Sequence, residues 1–251
     1  MIKKFVKIIF NRVRFIYFKL LGVNFYYSSG NLKISNSINL FYSQQNQDII
    51  VLNFLKNNFS LNDNIKIIDI GANHPIKFNN TMLFEKLFNA EIYSIDAQNT
   101  FKKIFQETRK STFINCAIGQ CREEITFFVP KGSNDNHDNN MFASSDINFI
   151  PLDLANCIDE IKVTKCPLID VVPIQEYDIL FIDVEGFEED VLNGIDFSKF
   201  NFKIICIENN RSIKSKKTIR KMLLQNHYCW VGRILGFDDI FIFEDNNTLY
   251  N

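Results

Sequence analysis

No two cysteines stand in a CxxC pair, and the six present (Cys116, Cys121, Cys157, Cys166, Cys206, Cys229) follow no disulfide framework. Several sit inside apolar runs, as Cys206 does in Ile204-Ile-Cys-Ile-Glu208. They read as buried free thiols of a reducing compartment. Three histidines without HxxxH or HxxE spacing give no zinc site. No uncharged run approaches the roughly 18–20 apolar residues that a transmembrane helix needs, and no cleavable signal is visible. A net charge of −1 and a pI near 6.3 leave no whole-chain basic field of the kind that gathers nucleic acid. There is no internal repeat. The G-x-G-x-x-G of dinucleotide-binding turns is missing too. After Gly71 the run Ala72-Asn73-His74-Pro75-Ile76 holds no further glycine, so no second glycine admits a pyrophosphate and NAD or FAD is disfavoured.

What is present suffices for one large domain: 251 residues, 46% of them hydrophobic. Residues 1–27 stand apart, carrying Lys3, Lys4, Lys7, Arg12, Arg14 and Lys19 with no acid, interleaved with aromatics. On a helix at about 100° per residue the cations fall within one half. That composition suits a helix lying in a bilayer interface, or one docked on its own domain or a partner with its lysines solvated. A Gly/Asn/Ser-rich linker (28–40) leads into a domain over 41–251.

In that domain strand-like and helix-like segments alternate. Strands are expected at Ile65–Ile70, Glu91–Asp96, Thr112–Ala117, Ile125–Val129, Ile179–Val184 and Lys203–Glu208. Helices are expected at Ile49–Leu55, Thr81–Phe88, Phe101–Arg109 and Lys214–Asn226, and a closing hairpin at Trp230–Leu235 with Asp239–Phe243. Alternation predicts an α/β fold, a mostly parallel Rossmann-like sheet with helices on both faces and an antiparallel hairpin at its carboxy-terminal end. Residues 131–168 are polar and irregular, with a short helix expected near Leu152–Ile161, and read as a lid-like insertion.

Three strand ends carry the chemistry. Ile179-Leu-Phe-Ile-Asp183-Val-Glu185-Gly186 is a buried strand closing on two acids at alternate positions, at the edge where open α/β sheets bind ligands. Glu188, Glu189 and Asp190 then open a helix, where negative charge suits the macrodipole. Ile68-Asp69-Ile70-Gly71-Ala72-Asn73 is a strand ending in a glycine turn that lets the backbone approach a ligand. Asp96 closes the next strand about 25 residues on, the spacing of a ribose-binding carboxylate. A nucleoside without a pyrophosphate fits such a turn, and S-adenosylmethionine is one. Each acid taken singly also reads as a helix cap or solvated turn. His74, beside the glycine turn, is an active-site candidate, His137 a loop residue or lid base, and His227 a structural residue at a helix end.

Ser43-Gln44-x-x-Gln47-Asp48, Asp69-Ile-Gly-Ala-Asn73-His-Pro75, Asn80-Thr81, Asn115-Cys-Ala117, Ile182-Asp-Val-Glu-Gly-Phe-Glu188, Val191-Leu-x-Gly194 and Ile207-Glu-Asn209 occur in this order. The set closely resembles the FkbM-type S-adenosylmethionine-dependent methyltransferases over about residues 41–244, with Gln47 standing where an acid is more usual. The resemblance implies that Asp69, Gly71, Ala72 and Asn73 line the methionine end of the cofactor and that Asp96 holds the ribose. It also implies that Cys116 and Ala117 border adenine, that Ser43 and Gln44 close over the cofactor, and that Asp183 and Glu185 face the transferred methyl group. Many such enzymes methylate sugar hydroxyls in glycans or natural products.

A sulfonium is already activated, so the protein must align the nucleophile and manage its proton. Glu185 is expected as the base, with Asp183 and Glu208 orienting the acceptor or holding a magnesium ion. The expected activity is O-methylation of a sugar hydroxyl in a surface polysaccharide or glycolipid, performed in the cytoplasm or at the cytoplasmic membrane face. A small-molecule or lipid acceptor and a non-catalytic scaffold are the rivals, and no nucleic-acid partner is expected.

Overall fold

In the computed structural model, residues 25–28, 31–34, 42–130, 143–154, 158–209 and 212–244 are described. Residues 1–24, His137 and Cys157 lie outside them. β1 (Phe25–Ser28) and β2 (Asn31–Ile34) form an antiparallel pair. The last residues of the expected helical segment and part of the expected linker are therefore strand.

The domain proper runs α1 (Gln47–Asn58), β3 (Lys66–Ile70), α2 (Met82–Leu87), β4 (Glu91–Asp96), α3 (Lys102–Thr108) and β5 (Thr112–Asn115). Then come β6 (Ala117–Ile118), β7 (Glu123–Pro130), β8 (Ile158–Cys166), β9 (Glu176–Ile182), α4 (Glu188–Asn193), β10 (Asn201–Glu208), α5 (Ile213–Gln225), β11 (Tyr228–Ile234) and β12 (Asp238–Phe243). Seven strands make one sheet in the order β11-β12-β10-β9-β3-β4-β5. β10, β9, β3, β4 and β5 are parallel, while β12 is antiparallel to both β10 and β11. The fold is thus the expected one.

Strand periodicity divides the core between the two faces of the sheet. Ile67, Ile179, Phe181, Ile204 and Cys206 face α1 and α2, where they meet Val51, Phe54, Leu55 and Phe84. Their neighbours Ile68, Ile70, Leu180, Ile182, Ile205 and Ile207 face the other way, toward Val191 and Leu192 of α4 and Ile219 and Leu223 of α5. Each central strand is apolar on both sides, which is why these segments read as continuous hydrophobic runs.

The chain winds outward from β3 through β4 to β5, then returns to lay β9 against the other side of β3. That reversal leaves a crevice beyond the carboxyl ends of β3 and β9, the usual ligand position of such sheets. Register fixes what borders it. Ile70 pairs with Ile95 and Ile182, and Ile182 with Ile207. One residue further on, Gly71, Asp96, Asp183 and Glu208 therefore come into one row.

One expectation is corrected. Among the described residues of 152–161, 152–154 form a turn and 158–161 are strand, where a helix was expected. β8 pairs antiparallel with β7 and parallel with β6 in a separate three-stranded sheet. Ile125–Val129 belongs to that sheet and not to the central one. The segment from Ala143 to Ile150 rests on the carboxyl edge. Ser144 bridges to Phe128, its hydroxyl donates to the Glu185 carbonyl at 3.3 Å, and Phe149 packs edge-on against Phe187 at 6.2 Å.

Candidate active site

Gly71 leaves β3 at φ +88°, and its amide and that of Ala72 donate to the Ile95 carbonyl at 2.9 and 3.1 Å. A Cβ at Gly71 would lie 1.7 Å from the Asp183 carbonyl oxygen. The Asp183 amide in turn donates to the Ile70 carbonyl at 2.9 Å. Two strand ends are therefore pressed together where only glycine fits. Opposite, Glu185 at φ +52° and Gly186 at φ +111° turn the chain sharply out of β9. The buried Glu188 carboxylate steadies this turn by accepting the Gly186 amide at 2.8 Å.

Between these turns lies a cleft of about 1010 Å³ counted to its open mouth. Gln44, Gly71, Ala72, Asn73, Asp96, Cys116, Ala117, Asp183 and Glu185 all line it. Asp96 is 8% exposed and accepts the Asn73 amide on Oδ2 at 2.7 Å and the Gln98 amide on Oδ1 at 2.8 Å. Burial pushes its carboxyl up to about 6 despite those two amides. Each oxygen keeps one further lone pair, enough to accept a vicinal diol. Cys116 stays a thiol, raised to about 12 by burial and by the Cys166 thiol beside it.

Asp183, Glu185 and Glu208 bring one carboxylate oxygen each within 4.8 Å of one another. Burial, followed by Glu208, Glu185, Asp238 and Glu188, drives the Asp183 carboxyl well above the ordinary carboxylate range. The trio's oxygen donors suit a hard cation.

Three expected residues take other places. Ser43 is not on the cleft wall: its hydroxyl donates to Asp48 Oδ1 at 2.6 Å, and Asp48 also accepts the Tyr42 and Ser43 amides, an arrangement that starts α1. Asp69 is 1% exposed beneath the turn, where Thr81 Oγ1 donates to it at 3.3 Å. Burial raises Asp69 to about 7 against the opposing charge of Arg109. His74 does not reach the cleft wall either. Its Nδ1 accepts the Ile76 and Lys77 amides at 3.0 and 2.9 Å, so that nitrogen is occupied as an acceptor and cannot serve as a base. Glu208, 9% exposed, stands with Asp183 and Glu185 in the acidic trio.

Sequence reasoning passed over other lining residues: Phe78, Asn80, Gln98, Lys165, Phe187 and Asp190. Asn80 and Phe187 lie inside the ordered motifs. Lys165 gave no signal because β8 was read as insertion. Gln47 also lines the cleft, and its Nε2 donates to Asp238 Oδ2 at 3.2 Å. An acid at position 47 would repel that carboxylate, and a neutral amide bridges to it instead. Behind the glycine turn, the fully buried Arg109 fork donates to Glu85, the Pro75 carbonyl, Asn79 and Thr81 at 2.7–3.1 Å. It thereby fastens the loop that carries Asn73, Phe78 and Asn80.

A mainly parallel sheet with an antiparallel carboxy-terminal hairpin, a glycine turn at the switch point and an acid closing the next strand make a Rossmann-like fold with a nucleoside-type site. The sequence model of the methyltransferase FkbM domain matches residues 69–229. The chain belongs to that family, whose expected cofactor is S-adenosylmethionine. No curated protein matches it. Among solved structures it is similar to a precorrin-6y C5,15-methyltransferase from Geobacter metallireducens GS-15, at 12% identity and TM-score 0.45 over 84% of this chain and 94% of that one. It is also similar to a methyltransferase FkbM from Methylobacillus flagellatus KT, at 13% identity and TM-score 0.42 over 74% of this chain and 45% of that one.

Proposed function

We propose that the protein transfers the methyl group of S-adenosylmethionine to an oxygen, with a sugar hydroxyl of a surface polysaccharide or glycolipid as acceptor. The observation that carries this reading is the meeting of Asp183, Glu185 and Glu208 within 4.8 Å beside a cleft that also holds Asp96 and Cys116. Bound in that cleft, the cofactor supplies an electrophilic methyl whose bond to sulfur breaks as the bond to oxygen forms, leaving S-adenosylhomocysteine. Asp96 holds the ribose diol, and the Gly71–Asn73 turn admits the methionine end. Glu185 accepts the hydroxyl proton, while Asp183 and Glu208 orient the acceptor. A hard cation such as magnesium would sit on Asp183 and Glu208 with Glu185 beside them, and turnover before and after EDTA tests that assignment.

Glu185→Gln removes the base and keeps the shape. The expected result is unchanged S-adenosylhomocysteine affinity with turnover down about 10²–10⁴-fold. A variant that folds, binds the cofactor product and turns over at the wild-type rate sinks the assignment. A small-molecule or lipid acceptor is the second reading, separated by screening both acceptor classes with labelled cofactor. The basic residues 1–27 support work at the cytoplasmic membrane face, tested by vesicle flotation with and without that segment. No helix among the described residues is long and apolar enough to cross a membrane.

A further inference from the structure

No aspartate or glutamate occurs between Glu208 and Asp238, a stretch holding seven basic residues in a chain with 28 basic and 29 acidic ones. Most of that charge lies on α5, which carries Lys214, Lys216, Lys217, Arg220 and Lys221 and no acid. The helix is well started, with the Ser212 hydroxyl accepting the Ser215 amide at 3.1 Å. Its apolar side is spent inside the domain, where Ile219 and Leu223 are fully buried. At about 100° per residue, Lys214, Lys217 and Lys221 fall within about 60° of one another on the side facing away from those two. All three are exposed.

Arg220 is committed to Asp239 at 2.9 Å and lies 4.2 Å over the Trp230 ring. Among the described residues no carboxylate pairs with the four lysines. One flank of the lysine stripe is apolar and open: Ile213 is 73% exposed and Leu224 64%, with Trp230 next to Arg220. A solvated helix face gains nothing by exposing large aliphatic groups beside unpaired cations. A headgroup layer accommodates both, with lysines on phosphates and aliphatic side chains at the acyl boundary.

We infer that the outer face of α5 is a docking surface for an anionic phospholipid membrane. It belongs to the folded domain and is distinct from residues 1–27, and it requires nothing of the acceptor assignment. The helix follows directly from the β10 end that carries Glu208, so its first turn lies at the same sheet edge as the cleft. Docking there brings the cleft to the surface where a lipid-linked acceptor would be presented.

The test is co-sedimentation of the full chain with phosphatidylcholine vesicles with and without about 30% phosphatidylglycerol. Wild type is expected on the anionic vesicles and not on the neutral ones. Lys214→Gln with Lys217→Gln and Lys221→Gln should weaken that partition about a hundredfold, and Ile213→Ser with Leu224→Ser several-fold. Both variants should keep wild-type unfolding temperature and S-adenosylhomocysteine affinity, because none of these residues lines the cleft. Absence of wild-type binding, or a triple variant within twofold of wild type, overturns the inference. So does full vesicle binding by the serine variant combined with loss of inorganic polyphosphate binding in the lysine variant, since the partner would then be a soluble polyanion. Failure of wild type to bind S-adenosylhomocysteine bears on the proposed function and leaves this inference standing.

Discussion

Gly71→Ala is the most telling single perturbation of the scaffold. Its φ of +88° alone costs an L-residue about 1–2 kcal/mol. The new methyl would also stand 1.7 Å from the Asp183 carbonyl oxygen and 2.7 Å from its carbon. Neither strand end can step aside cheaply. The Gly71 amide is held by the Ile95 carbonyl at 2.9 Å, and the Asp183 amide by the Ile70 carbonyl at 2.9 Å. Overpacking against fixed backbone adds about 1–3 kcal/mol, for a total near 2–5 kcal/mol. That is a large share of the roughly 5–15 kcal/mol available to a domain. In a chain of this size it lowers the unfolding temperature by about 5–15 °C. Thermal unfolding followed by circular dichroism reads the loss, and calorimetry with S-adenosylhomocysteine should find affinity reduced along with it. An alanine variant that melts within 2 °C of wild type (a change of about 1 kcal/mol or less) and binds normally would refute the close approach of β3 and β9.

Burial raises Asp69 to about 7, Asp96 to about 6 and Asp238 to about 7, all from 3.8. Between those limits the folded state holds more protons than the unfolded one, so stability falls as pH rises through that window. The ligand-free protein should therefore melt several degrees lower at about pH 7.5 than at about pH 5.5, and the opposite slope would contradict these environments. Cofactor affinity should run the other way, weakening below about pH 6 as Asp96 protonates. Arg109→Lys keeps the charge and loses the fork that joins Glu85, Pro75, Asn79 and Thr81. Urea unfolding should find it less stable by about 2–4 kcal/mol, and an unchanged midpoint would argue that the loop stands without it.

The strands of the central sheet were legible because β3, β9 and β10 are apolar on both faces and end in glycine or acid. Glu91–Asp96 matched to the residue. β8 was not legible. Its apolar positions Ile158, Ile161, Val163 and Cys166 are spaced three, two and three apart, so the first pair mimics a helix, and Asp159, Glu160 and Lys162 between them are exposed. Strand-end acids were placed where the register puts them, since Asp96, Asp183 and Glu208 each close a parallel strand. Local sequence could not say which neighbours turn inward. Asp69 points beneath the turn because Thr81 and Arg109 lie there, and His74 spends its Nδ1 on amides two and three residues ahead. Arg109 gave no signal at all, because its partners lie 24–34 residues away in sequence.

The measurement that tests the central claim most directly is calorimetric titration of S-adenosylhomocysteine into wild type and Asp96→Ala. Two charge-assisted hydrogen bonds from the ribose to Asp96 contribute about 1.5–3 kcal/mol each. Micromolar binding by wild type, weakened at least tenfold in the variant, is the predicted result. No binding by a well-folded wild type would contradict the account of this cleft as a methyltransferase cofactor site.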